Sequence, residues 1–122
     1  MFDVYSTLLS FPVTTLFGTH EERNQDVTSH AMTSGLFALE GLKILRYSLA
    51  MNLLGIAQAV DLRGGGSLLS PQTRPLYDFV RSLSPYVSEE RPLHTDIEEL
   101  TSKIQSGAVS SIVQNNIFNN FQ

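Results

Sequence analysis

The sequence predicts an all-α protein, and three observations carry that expectation. From about Gln25 to Leu62 apolar residues recur every three or four positions, at Leu36, Leu39, Leu42, Leu45, Leu49, Leu53, Ile56 and Val60. Helix start and stop signals punctuate the rest of the chain. No stretch alternates apolar and polar residues between turn signals, as a strand-turn-strand unit requires. The expected architecture is one long central helix with several short ones, in a single domain spanning residues 1–122.

Residues 1–23 read as irregular, and "FPVTT" is extended around Pro12, because the residue before proline avoids the helical region. Within the long helix a second apolar set, Phe37, Ile44, Met51 and Leu54, faces elsewhere, and a helix apolar on more than one side is normally surrounded by other helices. Gly35, Gly41 and Gly55 each cost about 1 kcal/mol relative to Ala. They are expected to mark close approach between helices. "RGGGS" at 63–67 ends the helix with residues that tolerate left-handed backbone.

"LSPQTRPLYDFVRSLSP" predicts a short second helix, capped by Ser70 or Thr73 and stopped at Ser84-Pro85. "HTDIEELTSKIQSG" predicts a third. Thr95 and Glu98 have capping-box spacing, Asp96 suits the N-terminus, Lys103 the C-terminus, and Gly107 is the stop. Its apolar stripe is Ile97, Leu100 and Ile104. A last short helix, "AVSSIVQNNIF", follows, and the Asn-rich end is expected to fray.

Composition excludes several function classes. Net charge is −4 with eight scattered Lys and Arg, so no nucleic-acid footprint is expected. The chain has 0 cysteines, which removes disulfides and thiolate metal sites and fits a reducing, cytoplasmic setting. Lys43, Arg46, Asn52 and Gln58 interrupt the longest apolar segment, so no membrane span is expected. "MFDVYSTLLSFPVTTLF" lacks the basic start of a signal peptide. His20, His30 and His94 are too dispersed for a local metal site. "RGGGS" has neither the preceding strand nor the lysine of a phosphate loop. Asp61 beside Arg63 reads as a structural helix-end pair. Tyr47, Tyr77 and Tyr86 read as packing residues.

The polar cluster "EERNQD" at 21–26 admits a plain explanation, since acids and amides satisfy free N–H groups at a helix start. Its sequence context points further. "SFPVTT", then "EERNQDVTS", then a long helix ending "GIAQAVDLR", then "LSPQTRPLYDFVRSLSPYVSEERPLHTDIEEL" together resemble the C-terminal part of the aromatic amino acid ammonia-lyases and aminomutases, over residues 9–113.

The resemblance implies a mostly helical, tetrameric enzyme. Such enzymes use a methylidene-imidazolone (MIO) electrophile, formed from an Ala-Ser-Gly triplet, and build each active site from three subunits. It implies substrate-binding roles for Glu21, Asn24 and Gln25 in a pocket shared between subunits. It also implies an aromatic L-amino acid (phenylalanine, tyrosine or histidine) as substrate, and as partner a further copy or a complementary N-terminal lyase chain.

Two positions depart from the plant-type pattern, Thr28 for Asn and Ala31 for Gly, and they leave the substrate open. These 122 residues contain no Ala-Ser-Gly. Thr33-Ser34-Gly35 falls on the predicted helix, where a strained cyclising loop is not available. No catalytic residue and no cofactor are therefore expected in this chain alone; MIO is expected in a complementary chain or the full-length enzyme. The expected function is that of a C-terminal fragment or subunit contributing pocket residues and oligomer helices. The alternative is a non-catalytic remnant that serves as a helical interaction module.

Overall fold

A computed structural model describes residues 31–118, and among them all regular structure is helical. Helix α1 runs Ala31–Leu62, α2 Arg74–Leu83, α3 His94–Gln105 and α4 Ala108–Val113. A 3-10 turn at Gly66–Leu68 precedes α2, and a π-helical turn at Gln114–Phe118 follows α4. The all-α expectation holds. The predicted end of the long helix at Leu62 is met, while its predicted start at Gln25 lies outside the described residues. The chain divides into two compact units, residues 1–45 and 46–122.

In the first unit, α1 presents Met32, Leu36, Leu39, Leu42 and Leu45 to solvent, between 45% and 79% exposed. Lys43 and Glu40 form an i,i+3 ion pair at 2.6 Å on the same helix. Both side chains are more than half exposed, so the pair contributes little.

The second unit holds the core. Ala50, Leu54 and Ala57 of α1 meet Val80 of α2, Leu100 of α3 and Val109 of α4, with Leu53, Leu76, Phe79, Ile97 and Ile104 packed around them. The 50-54-57 spacing is helical, but it is not the leucine ridge that dominates the sequence pattern. Two alanines flank Leu54 on this contact line. Leu49, Met51, Ile56 and Leu62 of α1 in this unit are 42–71% exposed.

The turns follow the predicted chemistry, with exceptions. Gly64 and Gly65 adopt φ of 120° and 85°. The Gly65 N–H then donates back to Val60 O at 3.0 Å, capping the exposed carbonyls of α1. Gly107 takes φ 84° and separates α3 from α4. Thr73 is the N-cap of α2 but makes no side-chain cap bond; the Ser70 hydroxyl instead accepts the Thr73 N–H at 3.4 Å. The Thr95–Glu98 capping box does not form. Helix α3 begins two residues earlier than that box implies, with Leu93 as N-cap. The expected glycine contacts are also absent: a Cβ on Gly35, Gly41 or Gly55 would meet nothing within 4 Å. Tyr47 and Tyr86, read as packing residues, are 39% and 46% exposed.

Two substitutions test this packing in opposite directions. Leu100 is fully buried, so Leu100→Ala is expected to destabilise the chain by about 2–5 kcal/mol. Gly55 is helical with open space around it, so Gly55→Ala is expected to stabilise by about 0.5–1 kcal/mol. Urea unfolding followed by circular dichroism reads both.

Candidate functional site

Glu21, Asn24 and Gln25, the predicted substrate-binding residues, lie outside the described residues, as do His20 and His30. Among the described residues no group of three or more His, Asp or Glu is placed to hold a metal. No helix there is long and apolar enough to cross a membrane. Thr33-Ser34-Gly35 lies in α1, and helical hydrogen bonding there opposes the backbone cyclisation that MIO requires. The described residues therefore do not fit that group.

What the structure does assemble is a chain of polar side chains joining the end of α1 to α2, the following loop and α3. Asp61, in the last turn of α1, pairs with Arg81 of α2, with Arg81 Nη2 at 2.5 Å from Asp61 Oδ2. Both side chains are largely buried, at 17% and 13% exposure. The structural role expected for Asp61 is met through Arg81, while Arg63 is exposed. Asp61 also accepts the Tyr77 hydroxyl hydrogen bond on Oδ1. That bond, with desolvation and the Asp61 charge behind it, raises the Tyr77 phenol above its ordinary pKa, and Arg81 opposes the shift.

Gly66 makes the Tyr77 position possible. A Cβ there would stand 2.6 Å from the Tyr77 ring, inside any tolerable contact, so only glycine lets the ring lie flat against the 3-10 turn.

Arg81 continues the chain. Its Nη1 donates to Ser84 O at 2.9 Å and its Nη2 to Gln58 Oε1 at 3.2 Å. The Gln58 amide also accepts the Val87 N–H at 3.2 Å and donates to Val87 O at 2.9 Å. Ser84, 1% exposed, donates its hydroxyl hydrogen to Asp96 Oδ2. Arg91 Nη2 meets the same oxygen at 2.7 Å. Arg91, foremost, and Ser84 hold the Asp96 carboxyl below its ordinary pKa, while desolvation pulls the other way. The Arg91 guanidinium is raised in turn, chiefly by its bond to Asp96. Asp96 stands in the first turn of α3, as expected from sequence, and also ties down both ends of the loop.

Two apolar hollows flank this network. A cavity of about 340 Å³ is walled by Met51, Leu54, Gly55, Val87, Leu93 and Ile97, with Gln58, Arg81 and Ser84 at its polar end. A groove on the other side is lined by Leu53, Ile56, Val60, Leu69, Leu76 and Tyr77. Each ionised group in the network is already bonded to another, so the arrangement locks helices together. Gln58, Arg81 and Ser84 had no role in the sequence reading. The available signal was that all three fall inside or beside the segments "AQAVDLR", "YDFVRSLS" and "RPLHTDI" that carry the family resemblance.

Residues 5–82 match the family model described as aromatic amino acid lyase. The chain belongs to the aromatic amino acid lyase family. This lyase-family chain is 34% identical to a tyrosine ammonia-lyase of Cupriavidus metallidurans over 91 residues, 75% of the chain and 17% of that protein. It is 31% identical to a histidine ammonia-lyase of Myxococcus xanthus over 114 residues, 89% of the chain and 21% of that protein. It is 36% identical to an MIO-dependent tyrosine 2,3-aminomutase of Streptomyces globisporus over 84 residues, 69% of the chain and 16% of that protein. The chain spans about a fifth of the length of these relatives. No solved structure matches it.

The Asp96 geometry fixes a pH dependence. A carboxyl whose folded pKa is depressed adds stability that is full above its unfolded value, about 3.9, and disappears as pH falls through the lower folded value. Asp96→Asn removes that contribution. The difference in melting temperature between wild type and Asp96→Asn is therefore expected to be constant from pH 7 to 5 and to shrink below about pH 4. Thermal melts across that series check it.

Proposed function

We propose that this chain is the C-terminal portion, as a fragment or subunit over residues 1–122, of an MIO-type aromatic amino acid ammonia-lyase or 2,3-aminomutase working in the cytoplasm. The observation that carries the reading is the family match over residues 5–82, which takes in Glu21, Asn24 and Gln25 together with the long helix behind them. Those three residues contribute to the substrate pocket, and the electrophile comes from a complementary chain or from the rest of a full-length enzyme. The substrate is an aromatic L-amino acid, in keeping with relatives named for tyrosine and histidine.

The exposed apolar residues of α1 support the oligomer part of the proposal. Leu36, Leu39 and Leu45 are 56%, 59% and 62% exposed, more apolar helix surface than a monomer in water ordinarily leaves open. Covering them with further helices, from a second copy or a complementary lyase chain, follows from the hydrophobic effect. A bare interaction module would need the same surface, so the two readings separate on activity.

The 122 residues alone are expected to release no cinnamate, coumarate or urocanate, because an unactivated amine is a poor leaving group. Light scattering is expected to show a dimer or tetramer. Co-expression with an MIO-bearing lyase segment is expected to give activity that depends on Gln25. A neutral amide beside a phenyl or phenol ring strands no charge there, so phenylalanine or tyrosine is expected to be preferred over histidine. Gln25→Glu is expected to lower kcat/KM for the preferred substrate by more than about tenfold, roughly 1.4 kcal/mol of transition-state stabilisation. Unchanged values for all three amino acids would return Gln25 to a helix-start role. Complementation without any activity would favour the interaction module.

A further inference from the structure

Residues 84–91, between α2 and α3, form a loop held by side chains. Its neck is closed by Asp96, which accepts the Ser84 hydroxyl at one end of the loop and Arg91 Nη2, at 2.7 Å, at the other. Arg91 also reaches back to Ser84 Oγ at 3.3 Å and Pro85 O at 3.4 Å. Among the described residues, the polar contacts at the middle of the loop come from Gln58, whose amide pairs with both the N–H and the C=O of Val87, like one rung of a β-ladder. Among the described residues no backbone-to-backbone hydrogen bond ties residues 85–92 to a helix. Beyond the latch, Ser88, Glu89 and Glu90 are exposed. Beneath it, Val87 and the adjoining Leu93 form one wall of the apolar cavity whose other walls are Met51, Leu54, Gly55 and Ile97.

We propose that residues 85–90, between the neck residues Ser84 and Arg91, are a gate over this cavity, latched at its middle by Gln58 and opening while the neck and α1, α2 and α3 stay in place. The two fastenings differ in kind, which is why the opening is local. The neck is an ion pair with charge-assisted bonds, the stronger class. The latch proper is the two neutral amide bonds from Gln58, itself held by Arg81, to Val87, so breaking them frees Val87 without touching the bonds on Asp96. Segments with few backbone bonds to their surroundings open at lower cost than the helices they connect.

The full chain carries its own internal comparison, because glutamates lie both in the gate, at Glu89 and Glu90, and in α3, at Glu98 and Glu99. A glutamate-specific protease is expected to cut wild type after Glu89 and Glu90 at a rate nearly independent of urea below the unfolding transition. Cutting after Glu98 and Glu99 is expected to rise with urea alongside global unfolding. Gln58→Met, similar in length but without the amide, is expected to speed gate cleavage by at least about tenfold under conditions where α3 is still uncut. The chain has no cysteine, so Leu54→Cys places a single thiol in the cavity wall. Its reaction with a water-soluble disulfide reagent is expected to share the urea-independence of gate cleavage and to accelerate with Gln58→Met. Gate and α3 cleavage rising together in wild type would overturn the proposal, whether or not Gln58→Met folds. So would gate cleavage that Gln58→Met leaves unchanged, or thiol labelling that follows α3.

Discussion

The ion pair between Asp61 and Arg81 is the interaction on which the described architecture turns. It joins the last turn of the long helix to the last turn of α2, and every other member of the polar network is placed by it directly or at one remove. Tyr77 reaches Asp61 because Gly66 leaves room for its ring, and Ser84 and Gln58 are set by the Arg81 guanidinium. Partly desolvated charges return little net stability as a pair, but removing one partner strands the other in a poor solvent. The pair therefore fixes the register of α2 on α1 more than it deepens the fold.

The fold class was legible because it depends on local signals. Gly64, Gly65 and Gly107 end helices for backbone reasons that no tertiary context alters, and Ile97, Leu100 and Ile104 occupy the inner side of α3 as their spacing requires. The long-range partners were not legible. Asp61 reads as structural, but nothing local selects Arg81, twenty residues on, as its partner. Asp96 stands in the first turn of α3, where a helix N-terminus wants an acid, and also takes bonds from Arg91 and Ser84. The leucine ridge of α1 promised a core, but the contact line runs through Ala50, Leu54 and Ala57. Periodicity counts apolar residues and cannot tell which of two apolar faces meets its own chain.

The same distinction separates the two parts of the family signature. The motifs from the last turns of the long helix onward hold residues whose work is structural: Gln58, Asp61, Tyr77, Arg81, Arg91 and Asp96 are joined in one network. The chemistry implied by the resemblance rests instead on Glu21, Asn24 and Gln25, which stand before the helix. Sequence likeness marks both kinds of residue equally, because a misplaced scaffold costs a pocket as much as a lost contact does. Only the three-dimensional arrangement shows that Gln58, Arg81, Arg91 and Asp96 grip their own chain.

The distribution of the core along the chain has a consequence for biosynthesis. Ala50, Leu54 and Ala57 are covered by residues that arrive in order, Val80, then Leu100, then Val109. At about 5–20 residues per second, the ribosome takes roughly 3–11 seconds to move from Leu54 to Val109. For that interval a long helix carries uncovered apolar surface on both its inner and outer faces, as a nascent chain still being extended. This is the kind of surface chaperones bind, and slowing translation between residues 57 and 109 would lengthen the exposure in proportion.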